Sequence, residues 1–240
     1  MITLLGTAHV VDLRERLRAE IRTRRPAVVA LELDPPRLAG LLNPQRSGKA
    51  PAVYRLLASF QRRLAAERGI EPGSEMKAAY EIAREIGSGV ALIDVDVRQT
   101  FARLWAQMPW GERARFFLAA LAGLLPGRAD LDRQIEQVSA DYASFFESLG
   151  AQFPTVKRVL IDERNEHMAK ALADLSAGGL DVVAVIGDGH VDGVAAILSG
   201  RGVAVEQLRL RELRGEIATS SAGFSVTVES PNGKAPPGNA

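Results

Sequence analysis

The sequence contains no cysteine, which excludes disulfide bonds, thiol nucleophiles and cysteine-ligated zinc or iron–sulfur sites. Neither charge is in excess, since 30 lysines and arginines balance 29 aspartates and glutamates to a net charge of +1. A nucleic-acid partner would usually require a basic surplus, so none is expected. The absence of cysteine also fits a reducing compartment, and we expect a cytoplasmic protein.

Long apolar runs are missing as well. The longest, Phe116 to Leu125, is well short of the roughly 20 residues that a membrane-spanning helix needs. The first residues, Met-Ile-Thr-Leu-Leu-Gly, lack the basic region of a signal peptide. We therefore expect neither a transmembrane segment nor a signal peptide. At 240 residues, 47% of them hydrophobic, the chain is long enough to bury a sizeable core.

Two of the three histidines occupy the same sequence setting. His9 follows Leu4-Leu5-Gly6 and His190 follows Val185-Ile186-Gly187, so each apolar run leads into a Gly-x-x-His motif. Each run is short and poorly suited to a helix, which predicts a buried strand ending at its glycine. Ligands bind at the carboxyl ends of the strands in open α/β sheets, so we predict that both histidines converge on one site.

The order of apolar runs and amphipathic segments predicts an α/β fold with a mainly parallel central sheet flanked by helices. The predicted strands are Ile2–Leu5, Ala27–Leu33, Val90–Val95, Asp181–Ile186 and Val203–Leu210.

A large all-helical insertion is expected between the third and fourth strands, over about residues 98–176, with one of its four helices at Ala129–Leu149. The helix that follows His190 is predicted to begin at Val191. We expect residues 1–213 to form a single domain. Residues 214–240 are expected to be a carboxyl-terminal extension, largely disordered after about residue 230 because its composition is small, polar and rich in proline and glycine.

Carboxylates also lie at the predicted strand ends. Glu32 is near the end of the second strand and Asp94 near the end of the third. Two imidazoles with neighbouring carboxylates can hold a divalent metal such as Mn, Co or Zn. A bound metal lowers the pKa of a coordinated water, and Glu32 or Glu75 could then serve as general base. His9, His190 and Glu32 are therefore candidate metal ligands.

Each of these residues also has a structural interpretation that involves no ligand. A histidine at a strand end can simply make a hydrogen bond in a loop. Glu75 would lie in the first turn of a helix, where the helix dipole favours a carboxylate. Asp96 would cap the helix that follows it, and Arg164 would form salt bridges on a solvated helix face. The residues alone leave both interpretations open.

Five segments together resemble the TraB/PrgY family, which is similar to the TIKI metalloproteases and more distantly to the erythromycin-esterase and ChaN-like proteins. In family order they are Gly6-Thr7-Ala8-His9-Val10, Val29–Asp34 with Arg37, Pro72–Ala79, Asp162–Ala169 and Val185–Gly193. One departure is at the third strand, which ends Asp94-Val95-Asp96 where the family often has Asp-Arg-Asp. Many relatives also carry a carboxyl-terminal membrane segment, so we expect this chain to correspond to the soluble domain.

The resemblance implies an α/β core in which both Gly-x-x-His motifs face one pocket. It also implies metal-dependent cleavage of peptide termini, as in the TIKI branch, while the TraB/PrgY branch is linked to shutdown of a peptide sex pheromone by degradation or sequestration. The residues it implicates are metal ligands His9, His190 and Glu32, catalytic residues Glu32, Arg164 and Glu75, and further pocket residues Arg37, Asp94 and Asp188.

The favoured prediction is a metal-dependent hydrolase, a peptidase that acts on small peptides or peptide termini. One alternative is a non-catalytic protein that sequesters a peptide in the same pocket. Another is a metal-free, esterase-like hydrolase with His9 as general base. The expected substrate is a peptide or another small molecule, and the long apolar helical insertion would suit a homodimer.

Overall fold

The structure is a computed structural model that describes residues 1–8, 12–43, 73–123 and 150–215. In chain order its helices and strands are β1 (Ile2–Thr7), α1 (Arg14–Arg24), β2 (Val28–Leu31), α2 (Pro35–Leu42), α3 (Ser74–Glu85), β3 (Gly89–Leu92), α4 (Val97–Gln107), α5 (Trp110–Gly123), α6 (Pro154–Lys157), a π-helical turn (Arg158–Asp162), α7 (Glu163–Ala177), β4 (Val182–Gly187), α8 (Asp188–Gly200), β5 (Val205–Leu208) and α9 (Leu210–Leu213).

The five strands form one sheet in the order β3-β2-β4-β1-β5, and every pairing is parallel. Thr7 at the end of β1 lies in register with Gly187 at the end of β4, and Leu31 at the end of β2 lies in register with Val185. The predicted α/β class with a parallel sheet is confirmed. Because the strands share one direction, the residues that follow them leave from one edge of the sheet.

Both faces of the sheet are covered by helices. Along β4, Val183 and Val185 pack into one cluster with α1 and α3, whereas Ala184 and Ile186 pack into another with α7 and α8. This alternation follows from the period of two in a strand. Two covered faces also explain why β1 and β4 are almost continuously apolar.

The described residues between β3 and β4 form helices and short connections without a strand, as predicted for an all-helical insertion. Leu104 of α4 and Met108, which directly follows that helix, pack against Val156 and Val159, and this contact anchors the insertion to the segment that leads into α7. The predicted helix at Ala129–Leu149 and the extension after residue 215 lie outside the described residues. Among the helices that the structure describes, none is long and apolar enough to cross a membrane.

Several boundaries differ from the predictions. The second and third strands are shorter than the apolar runs at Ala27–Leu33 and Val90–Val95, although Ile93 still donates a backbone hydrogen bond to Leu31 at 3.0 Å. The helix after β4 begins at Asp188, not at Val191, so His190 lies inside its first turn. The prediction was wrong here because the apolar periodicity of a helix does not reveal a polar first turn. The side chains of that turn are paired with residues distant in sequence.

Candidate functional site

Three predicted site residues lie at neighbouring strand ends on one edge of the sheet. Glu32 directly follows β2, Asp94 follows β3 by two residues, and His190 lies in the first turn of α8 after β4. The strand order β3-β2-β4 makes these ends adjacent. All three side chains are largely buried. The sheet topology therefore brings together groups that are 158 residues apart in sequence, counted from Glu32 to His190.

Arg164 connects all three of these side chains. Its guanidinium donates to Asp94 through Nε at 3.0 Å and Nη2 at 2.7 Å, and Nη2 also donates to Glu32 Oε1. Its Nη1 lies 3.1 Å from His190 Nε2. The planar fork of donors suits two carboxylates at once. The interpretation of Arg164 as a solvated surface residue was wrong, since its side chain is only 17% exposed.

The π-helical turn directly before α7 contributes to the placement of Arg164. The carbonyl of Leu160, within that turn, accepts a hydrogen bond from Arg164 Nη1 at 3.2 Å. Single π-helical turns occur frequently at functional sites. The wider turn therefore supplies one of the acceptors that hold the guanidinium in position.

Glu32 is held as a carboxylate by its surroundings. Its Oε2 accepts the backbone N–H of Gly187 at 2.6 Å, and a Cβ on Gly187 would lie only 3.3 Å from that oxygen. Burial alone would raise the pKa of Glu32, but the charge that His190 carries once it is protonated in acid and the charge of Arg164 outweigh this effect and hold the pKa below its ordinary value. The glycine of the second Gly-x-x-His motif thus leaves room for Glu32.

His190 is buried between Arg164 and Asn165. Its Nδ1 lies 2.7 Å from Asn165 Oδ1, and its Nε2 lies 3.6 Å from Glu32 Oε1. Burial lowers the pKa of the His190 imidazole; Glu32 opposes this effect and Arg164 adds to it. The ring is therefore neutral near pH 7.

Asp94 joins the site to a second arginine. Arg37 Nη2 donates to Asp94 Oδ2, and Arg37 Nε donates to Asp34 Oδ2 at 3.2 Å. Asp34 also caps α2 by accepting the backbone N–H of Arg37 at 2.7 Å. Burial by itself would raise the pKa of Asp94, but the hydrogen bonds and charge of Arg164 and Arg37 hold it below its ordinary value. The predicted pocket residue Arg37 thus lies next to the site.

Asp188 lies in the first turn of α8 but pairs away from Arg164. Arg209, which directly follows β5, donates to it through Nε at 3.0 Å and Nη2 at 2.8 Å, and the backbone N–H of Leu210 donates at 2.8 Å. Asp188 therefore fastens α8, and with it His190, to the chain after β5. Its placement among pocket residues stays a prediction.

Of three further predicted residues, the structure describes Glu75 and Asp96 but not His9. Glu75 is buried in the first turn of α3, the helix that packs against β2 and β3, and its role as a base stays a prediction. Asp96, expected to cap a helix, does cap α4 by accepting the backbone N–H of Arg98 at 2.7 Å. His9 lies outside the described residues; it follows Ala8, which directly succeeds the last residue of β1.

The donors can be compared with the needs of a divalent metal. Within the described ranges, no group of three or more histidine, aspartate or glutamate side chains could hold an ion. Glu32 Oε1 and His190 Nε2 are 3.6 Å apart, a span that one ion with bonds of about 2.0–2.2 Å can bridge. Both atoms contact Arg164 in this structure, and His9 lies outside the described residues, so the predicted metal site stays a prediction.

Asn165 and Arg209 are site residues that the sequence interpretation did not single out. Asn165 directly follows Arg164 in the segment Asp162–Ala169, so its neighbour in sequence was a signal. Arg209 lies near the carboxyl end of the predicted strand Val203–Leu210, as Glu32 does in Ala27–Leu33, so the rule that selected Glu32 could have selected it too. Both residues position other side chains, and the spacing of residues in the sequence does not indicate such a role.

Comparisons with known proteins agree with the arrangement of motifs. The sequence model described as the TraB/PrgY/gumN family matches residues 1–207. An uncharacterised protein of Methanocaldococcus jannaschii is 35% identical over 213 residues, which cover 82% of this chain and 53% of that protein. The chain therefore spans about half the length of this relative. Every segment that carries the Gly-x-x-His motifs, Glu32 and Arg164 lies within the matched range.

Proposed function

Because the chain belongs to the TraB/PrgY/gumN family, we propose that it is a hydrolase that cleaves small peptides or peptide termini at the carboxyl edge of its sheet. One observation carries the proposal: Glu32, Asp94 and His190 come from three separate segments and meet on a single buried guanidinium, Arg164. Buried charges with shifted pKa values in a shared site are typical of catalytic centres.

In this proposal Arg164 orients the substrate. Its guanidinium is held by Asp94, Glu32 and the Leu160 carbonyl, and a substrate carbonyl oxygen or terminal carboxylate that displaced one of these acceptors would meet a preorganised cation. Asp94 acts as its counter-charge. Glu32 or Glu75 would serve as general base, and Glu32 alternatively as a ligand.

The proposed cofactor is a divalent ion, Mn, Co or Zn, held by His190, Glu32 and His9. When bound, such an ion supplies a hydroxide-like water near neutral pH. Nε2 of His190, which Arg164 Nη1 faces at 3.1 Å, would be the ligand nitrogen once the ion replaced this contact, while Asn165 holds the other nitrogen, as is usual for a histidine ligand. Glu32 Oε1, which lies 3.6 Å from that nitrogen, would be the second ligand atom.

Metal content and peptide cleavage together test this function. Protein purified without chelator is subjected to elemental analysis and incubated with a panel of short peptides, with and without added Mn²⁺ or Co²⁺. We expect a bound metal and new amino termini. Both should be lost in the His9→Ala, His190→Ala double variant and retained in His167→Ala, because His167 is exposed on α7. Unchanged metal content and cleavage in the double variant would sink the proposal.

A non-catalytic peptide binder is the second candidate, and one observation favours it. Each carboxylate oxygen of Glu32 and Asp94 already accepts a hydrogen bond, from Arg164, Arg37 or the backbone of Gly187 and Val95. Such a satisfied network is rigid and is suited to holding a ligand. Saturable peptide binding with no product, even with added Mn²⁺ or Co²⁺, would support the binder, whereas cleavage that survives chelation would support the metal-free hydrolase.

A further inference from the structure

Consecutive residues of α7 hold the two nitrogens of the His190 ring. Arg164 Nη1 lies 3.1 Å from Nε2, and Asn165 Oδ1 lies 2.7 Å from Nδ1. Asn165 and His190 are both buried, each about 6% exposed. Buried hydrogen-bond partners on both sides therefore fix the orientation of the ring.

The chemistry of these partners determines which nitrogen carries the proton. A guanidinium only donates hydrogen bonds, so Nε2, which faces Arg164, must accept. A neutral imidazole has one donor and one acceptor. Its proton therefore lies on Nδ1, which donates to the carbonyl oxygen of Asn165.

Gly193 makes the position of Asn165 possible. It lies on α8, one turn after His190, and a Cβ built there would be 2.2 Å from Asn165 Nδ2 and 3.0 Å from Asn165 Cγ. The missing side chain leaves the space in which the amide lies. By contrast Gly200, at the end of the same helix, has no atom within 4 Å of such a Cβ.

We propose that Asn165 is a positioning residue that fixes His190 as the Nδ1–H tautomer, so that the lone pair of Nε2 faces Glu32 and Arg164, and that Gly193 exists to admit it. The opposite tautomer would direct an N–H of Nε2 against the N–H of Arg164 and leave the Asn165 oxygen without its donor. The tautomer stands independently of any activity, while its catalytic use rests on the proposed function. In that function, Nε2 is the nitrogen that serves as ligand or base.

Nitrogen-15 NMR of the full chain labelled in its histidines tests the proposal directly. The two nitrogens of a neutral ring give distinct pyrrole-like and pyridine-like signals, and the chain has only three histidines. His190 is identified by the signals lost in His190→Gln, and His167 by those lost in His167→Gln. In the wild type at pH 7.5, with chelator present, we expect a protonated Nδ1 and an unprotonated Nε2 for His190. A protonated Nε2 with a bare Nδ1 would overturn the proposal without any variant.

Variants then test whether Asn165 determines the tautomer of His190. Asn165→Leu has nearly the same shape but no acceptor, and Gly193→Ala displaces the amide without changing Asn165; both should lose the wild-type signature. Gly200→Ala is the matched control and should retain it, and Asn165→Asp, which keeps an acceptor, should keep Nδ1 protonated. An unchanged His190 signature in folded Gly193→Ala and Asn165→Leu would refute the role of Asn165. If Asn165→Leu does not fold, the Gly193→Ala and Gly200→Ala pair decides.

Activity provides the second readout and separates this inference from the function. If the chain cleaves peptides, Asn165→Leu should lower kcat by about 10- to 100-fold, as loss of a residue that orients a ligand typically does, and Asn165→Asp should restore part of it. The expected tautomer without any cleavage would refute the function and leave the tautomer assignment intact. Cleavage with the opposite tautomer would refute the inference and leave the function intact.

Discussion

Gly6 leaves the space that the Asp188 carboxylate occupies, since a Cβ on Gly6 would lie 2.3 Å from Asp188 Oδ1. The same oxygen accepts from Arg209 Nε at 3.0 Å and from the backbone N–H of Leu210 at 2.8 Å, so it cannot easily move. Gly6 belongs to the first Gly-x-x-His motif and Asp188 to the second. The two motifs are therefore fitted to each other across the neighbouring strands β1 and β4.

Gly6→Ala should destabilise the protein by about 2–4 kcal/mol, because it displaces a buried carboxylate from its partners. Gly40→Ala is the control, since its Cβ meets no atom within 4 Å and it lies inside α2, where alanine favours the helix by roughly 0.5–1 kcal/mol. Urea unfolding of both variants checks the difference. Equal stabilities of the two variants would contradict the tight fit between the motifs.

Arg164→Met should cost about 3–5 kcal/mol of unfolding free energy, because it leaves Glu32 and Asp94 buried without their shared cation. Arg22→Met is the matched control: Arg22 pairs with Glu85 at 2.8 Å, and both side chains are about half exposed. A surface pair of this kind contributes at most about 1 kcal/mol. The difference is measured by chemical denaturation at pH 7.5, and its absence would mean that the buried cluster contributes no more than a surface pair.

Acidification should destabilise the protein, beginning as the pH falls through about 6.5, the ordinary pKa of histidine. Burial lowers the pKa of His190 in the folded protein, so below pH 6.5 the unfolded chain binds a proton that the folded protein does not. Stability therefore falls until the folded ring is itself protonated. The lowered pKa values of Glu32 and Asp94 act in the same direction below about pH 4.5, because both carboxylates must be protonated on unfolding in acid.

The variant His190→Gln isolates the histidine contribution. Its unfolding free energy, measured between pH 7.5 and 5 with chelator present, should depend less steeply on pH than that of the wild type. His167→Gln replaces an exposed histidine and should retain the full slope. An equal dependence of the unfolding free energy on pH in the wild type and in His190→Gln would contradict the lowered pKa of His190.

Glu112→Ala should destabilise the protein by about 1–2 kcal/mol through loss of a helix cap. Glu112 on α5 is buried and accepts the backbone N–H of Thr155 at 2.9 Å, in the first turn of α6. Glu112→Gln keeps an acceptor and should recover most of the loss. Glu15→Ala, in the first turn of α1, is the exposed control. Thermal unfolding measures the stabilities of the three variants. A glutamine variant no more stable than the alanine variant would contradict the role of Glu112 as an acceptor.

The fold was predictable because its strands are strongly apolar and short. The runs at β1 and β4 are hydrophobic on both faces, and this pattern directly indicated a covered parallel sheet. The helical start of α8 was not predictable, since Asp188, Gly189 and His190 favour a loop when considered alone. Arg209 and Leu210 stabilise that first turn by pairing with Asp188, and this contact joins residues 21 and 22 positions apart.

The site was predictable in place more than in detail. The rule that residues after parallel strands lie at one edge of the sheet correctly predicted that Glu32, Asp94 and His190 are close together. Arg164 was in a recognisable motif, yet its helix carries other charged residues, and nothing local distinguishes a buried arginine from an exposed one. That distinction depends on how α7 packs against the sheet.

The position of β1 also has a consequence for synthesis of the chain. Among the described strands, its hydrogen-bond partners are β4 and β5, residues 182–208, so β1 is synthesised about 175 residues (from Thr7 to Val182) before the first of these partners. At typical translation rates this delay is roughly 10–35 s. During that time β2 and β3 can already pair with each other, whereas β1 remains an unpaired apolar segment and a target for chaperones.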